Sequence, residues 1–199
     1  MTPSATSTMT DGQIDKAVAN FRTLLEKHRN EFASDPTQRA LGNPALHREQ
    51  LGVLRKHIEA ESNTIVRVVK VFRMRTPQAI LDATGRTQYT DKEVVATMPK
   101  GEGDEAEVHF FKLSRFVSVD DLDREYESRN LKPDPYAQSQ VNADDPSFAD
   151  EHPNGSQWRD QNGKACCATF DHWLDERRVH VYRYDRDWDD SWWFAGVRK

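Results

Sequence analysis

Two thiols stand side by side at Cys166 and Cys167, with Asp171 and His172 a short way on and His180 after them. A thiol beside an imidazole is the raw material of nucleophilic catalysis, in which the base takes the proton and the thiolate attacks. Asp171, His172 and His180 could also converge from neighbouring strands on a metal ion. Both chemistries need more than composition. A catalytic pair needs a third group to orient the base, and the sequence marks none. A metal site needs ligands at defined spacing, and the chain has no CxxC, HxH or HExxH pattern. No metal and no cofactor is therefore expected. A hydrolase-like enzyme using His172, His180 and a nearby Asp or Cys is kept as an alternative; it requires these side chains to point into one concave pocket.

Other motifs are weaker. Lys100-Gly101-Glu102-Gly103 contains a GxG, but Glu102, Asp104 and Glu105 would repel a phosphate there. The acidic run Asp185-Arg186-Asp187-Trp188-Asp189-Asp190 lacks the sixth-position glycine and the twelfth-position glutamate of a calcium loop, so a solvated turn is expected. No GxSxG elbow accompanies the serines. Net charge is −5, with a basic excess over residues 1–75 and an acidic excess over 76–199. Arg67, Lys70, Arg73 and Arg75 form a basic strip that would serve a nucleic-acid accessory protein. The acidic remainder argues against a broad phosphate-binding face.

The aromatic residues carry the strongest signal. All five tryptophans lie from Trp158 onward, among Phe170, Tyr182, Tyr184 and Phe194. Indole is costly to leave wet and is a common contact group at binding sites. In a strand VHVYRYD, His180, Tyr182 and Tyr184 share one face, and Val179, Val181 and Arg183 the other. In SWWFAGVRK, Trp192 and Phe194 face one way, while Trp193, Ala195 and Val197 face the other. One apolar face can pack on helices, which leaves an aromatic face free. Trp158, Trp173, Tyr182, Tyr184, Trp188 and Trp192 are the expected partner-binding residues, for a protein or a small ligand.

These residues must be positioned by elements that the patterning foretells. Residues 1–10 form a disordered lead. Over 11–32, Ile14, Val18, Phe21, Leu25, His28 and Phe32 make a narrow, nearly heptad stripe that could seat on another helix or on a second copy. Thr10 and Gln13 form a capping box. A short helical turn stops at Gly42, and Asn43-Pro44 starts a helix to about residue 60, giving a helical hairpin over 11–61. TIVRVVKVFRMR is a strand with apolar residues on both faces, so an interior or well-covered strand is expected. PQAILDAT, DKEVVATM (boxed by Thr90 and Glu93) and VDDLDREYESR (capped by Ser118) are helices, and AEVHFFKL is a strand. Asp134-Pro135 and Asp145-Pro146 open short helices in an ordered connector. An antiparallel meander over 156–199 follows, its first hairpin marked by Asn162-Gly163.

The segments RTPQAILDATGRTQYTD, DPYAQSQVNADDPSFADEHPNG and WWFAGVRK resemble those of a family of uncharacterised bacterial proteins, over most of the chain from about Asp11. The resemblance implies no activity, ligand or site residue, only that arm, middle and meander travel together. No stretch approaches the ~18 apolar residues of a membrane span. MTPSATSTMT has no basic n-region and no apolar core, so it is not a secretory signal. Adjacent cysteines in a strand point to opposite faces and cannot easily pair, which points to a reducing, cytoplasmic compartment. The expected fold class is α+β: N-terminal helical hairpin, mixed middle region over the start of the 62–199 domain, C-terminal antiparallel meander. The expected function is a non-enzymatic binding or interaction protein that uses the aromatic sheet, with self-association through helix 11–32 as a further option.

Overall fold

A computed structural model of the chain describes residues 9–199, so most of the expected lead at 1–10 lies outside the described residues. The chain divides at Glu61 into two units. In the first, α1 spans Asp11–Lys27, and the expected capping box is present: Thr10 Oγ1 accepts from the Gln13 amide and Gln13 Oε1 from the Thr10 amide. A 3-10 turn, Arg29–Glu31, takes up the remainder of the expected helix. Helix α2 spans Ser34–Leu41 and stops at Gly42. Helix α3 spans Pro44–Ala60, with Asn43 as its cap and Pro44 in the first turn, where a missing N–H costs nothing. No described side chain of this unit is buried, and Ile14, Val18, Phe21, Leu25, Leu51, Leu54 and Ile58 are all exposed.

The second unit, Ser62–Lys199, is built on one mixed sheet. Its strands are β1 (Thr64–Lys70), β2 (Thr87–Thr90), β3 (Glu105–Lys112), β4 (Leu131–Lys132), β5 (Asn154–Arg159), β6 (Ala165–Trp173), β7 (Glu176–Arg183) and β8 (Trp193–Arg198). They lie in the order β1-β3-β8-β5-β6-β7-β2, with β4 on β8. β5, β6 and β7 form the antiparallel meander. β8 does not extend it beyond β7; it returns to the middle, antiparallel to β3 and parallel to β5.

The helices of this unit are α4 (Pro77–Asp82), α5 (Lys92–Val95), α6 (Val119–Ser128), α7 (Pro135–Asp144) and α8 (Phe148–Glu151). Thr76, Ser118 and Asp134 cap α4, α6 and α7 as their sequences foretell. Asp91, not Thr90, caps α5, because Thr90 is the last residue of β2. No side chain caps α8; Asp145 instead accepts from the Ser147 hydroxyl. α7 lies deep in the unit. Gln138 and Asn142 both donate to Asn154 Oδ1 (2.9 and 3.0 Å), which ties the helix to β5 through a buried amide cluster.

Strand alternation divides the core between the two sheet faces. One face carries Ile65, Phe110, Trp193, Ala195, Ala168, Phe170 and Val181, in one cluster with apolar side chains from α4, α5, α7 and α8. The other carries Phe111, Cys167 and Phe194, with Leu122 and Tyr126 of α6 over them. Cys166 and Cys167 thus fall in different clusters, both buried and both free. β1 corrects an expectation: it is an edge strand ending at Lys70, with Ile65 and Val69 buried and Val66 and Val68 exposed. Both its faces are apolar, yet α6 covers only the middle of the sheet.

Candidate functional site

The part of the second face that α6 leaves open carries a row of rings. His180 and Tyr182 alternate outward from β7, Tyr184 follows just beyond its end, and the parallel register sets Tyr89 of β2 directly beside His180. Tyr89 and His180 stack at 4.9 Å and 16°. The row continues to Tyr182 (6.1 Å), Tyr184 (6.0 Å), Trp188 (4.2 Å) and Trp192 (5.7 Å). Trp173 stands at the near rim, 61% exposed, with the Arg178 guanidinium 5.9 Å from its ring. Arg178 makes a bidentate pair with Asp171 at 2.9 Å, and Tyr89 donates to Glu176 at 3.1 Å.

Electrostatics keep the row uncharged near neutral pH. Burial pushes His180 below the ordinary imidazole value; Asp171 opposes the shift without reversing it. Burial likewise raises the Tyr182 phenol, and raises Tyr184 to about 12. The ring row is therefore neutral, hydrogen-bonding and apolar, with the Arg178–Asp171 ion pair and the Glu176 carboxylate on one side and the acidic turn 185–190 on the other.

The six expected contact residues separate into three groups. Trp173 and Tyr182 are exposed, and Tyr184 and Trp192 are half-buried within the row. Trp158 is a correction. It lies on the opposite face, 5% exposed, with its indole N–H donated to Thr97 Oγ1 at 3.0 Å. Trp188 is a second correction: it is fully buried and donates to Gln157 Oε1 at 3.0 Å. Its indole lies against Gly155, where an added Cβ would come within 3.4 Å of the ring. Both indoles found a polar partner for their one donor, which is what lets tryptophan enter a core. Tyr89 was missed. TQYT is too short to declare itself a strand, and only the parallel pairing brings it to His180.

The catalytic alternative meets a geometric obstacle. By register His172 shares a face with Cys166 and Phe170, whereas His180 shares the other with Cys167 and Tyr182. The two histidines cannot converge. Burial raises both thiols, Cys167 to about 12, so neither is a ready thiolate. Among the described residues no group of three or more His, Cys, Asp or Glu could hold a metal ion.

The basic strip is also dispersed. The Arg73 guanidinium is turned inward, 2.7 Å from Asp134, and donates to the carbonyls of Lys100, Glu102 and Gly103. The GxG loop is thus a structural lid on a buried ion pair. Gly101 has φ +66° and no room for a Cβ, which would collide with the Asp134 carboxylate. Arg75 lies over Phe72 and Arg67 over Phe148. No helix of the described residues is long and apolar enough to cross a membrane. No protein-family model, curated protein or solved structure matches this chain, so the side chains themselves carry the functional reading.

Proposed function

We propose that this chain is a non-catalytic binding protein that captures a cationic, extended protein segment on the ring row of its open sheet face. The observation that supports this is the continuous line Tyr89–His180–Tyr182–Tyr184 with Trp173 at its rim, bordered by carboxylates. Aromatic rings give contact area at low entropic cost, and their faces attract Lys and Arg. Glu176, Asp185 and Asp187 complement such a partner and repel phosphate, while Asp171 is already engaged by Arg178. Two buried free thiols favour a reducing, cytoplasmic setting for this activity.

The test is titration of the full chain with an unstructured Lys/Arg-rich peptide, followed by tryptophan fluorescence and by NMR of the His180 ring. Binding should perturb both signals, and Trp173→Ser with Tyr182→Ser should weaken it by about tenfold or more, as for loss of two anchor rings. Binding of an oligothymidylate instead, falling steeply with salt, would transfer the protein to the nucleic-acid class. Silence towards the peptide would remove the reading.

A further inference from the structure

The apolar stripe of α1 repeats at spacings of four and three: Ile14, Val18, Phe21, Leu25. In heptad terms Ile14 and Phe21 are d positions, and Val18 and Leu25 are a positions. These four are exposed, and no residue of α1 is buried. A stripe of this pattern asks for a helix as its partner, and the flanking residues say which.

We propose that α1 pairs antiparallel with α1 of a second copy. Antiparallel pairing sets each a residue beside a d residue of the partner helix. One register does this along the whole helix: Ile14 against Leu25 of the second copy and Val18 against its Phe21, each layer repeated by the two-fold axis. The register is centred between Ala19 and Asn20, so both 17-residue helices, ~25 Å long, overlap almost end to end. On one flank it brings Asp15 to Arg22 of the second copy, again twice. On the other flank it brings Ala17 to Leu24, which widens the dry seam. Asp15 and Arg22 are exposed, and among the described residues Arg22 meets Glu26 of its own helix, at 3.9 Å. A parallel pairing would oppose Ala17 to Arg22 and Leu24 to Arg29, with no charge complement. Charge and apolar pattern therefore select the same orientation and the same partner. This inference does not depend on the ring row.

Sedimentation equilibrium of the full chain tests it. A species of twice the 23.0 kDa chain mass that dissociates on dilution is expected. Phe21→Glu puts a carboxylate into two layers and should weaken the dimer by about tenfold or more. Arg22→Asp should weaken it by about threefold to tenfold through repulsion of Asp15, and adding Asp15→Arg should restore it. Circular dichroism checks that the variants, all at exposed positions, keep their helix. A chain that stays monomeric overturns the proposal, and so does a dimer indifferent to Phe21→Glu. A dimer that Phe21→Glu breaks but the charge exchange does not rescue overturns the antiparallel register.

Discussion

Arg73 and Asp134 show how a side chain that looks functional in sequence becomes structural in space. Asp134 caps α7 through the Ala137 amide and takes the Arg73 guanidinium on the same carboxylate, almost out of solvent. Removing one partner leaves a buried charge without its complement. Arg73→Met should destabilise the chain by about 3–5 kcal/mol in urea unfolding, the range for breaking a buried pair. A loss near that of an exposed salt bridge would mean that water reaches Asp134. The imidazoles offer a second residue-scale test. His109 and His180 are both held below the ordinary 6.5, by burial first, with Arg198 adding to the effect at His109. A base whose folded value is depressed takes its proton more readily in the unfolded chain. Its contribution to stability is therefore whole above about 6.5 and is lost as pH falls through the folded value. The urea midpoint should drop between about pH 7 and pH 5, and an NMR titration of His180 should give a midpoint below 6.5. A midpoint above that value would contradict the burial of its ring.

At the scale of elements, the β6–β7 hairpin is the informative one. Leu174 and Asp175 form its two-residue turn, with φ of 47° and 64°. Both values belong to the left-handed region, which suits Asn-Gly and taxes a leucine. Leu174→Asn with Asp175→Gly should raise stability by roughly 1 kcal/mol, read as a higher urea midpoint. A lower midpoint would show that Leu174 packs on something that outweighs its backbone cost. A strained, exposed leucine next to exposed Trp173 fits a contact surface better than a turn chosen for stability. The hairpin also marks how far patterning reaches. The faces of β6 and β7 follow from alternation alone, and so does the separation of Cys166 from Cys167. Helix starts at Thr10, Asn43, Thr76 and Ser118 follow from their capping chemistry. β2 and the early start of β5 do not, because short polar strands acquire their identity from a distant partner.

For the molecule as a whole, composition located the aromatic end but not which rings it would hide. Trp158 and Trp188 went inward because Thr97 and Gln157 meet their N–H groups, and those residues come from other elements. Tyr89 joined the row from far back in the chain. The α+β class, the helical start and the meander were legible; the path of β8 was not, since its alternation would suit an edge as well as a centre. That path has a consequence for biogenesis. β1 and β3 on one side, and β5, β6, β7 and β2 on the other, share no pairing until residues 193–198 arrive between them. Until that short segment docks, each half-sheet keeps a bare edge facing the other, and those edges are the places where an incompletely folded chain is most open to misassociation.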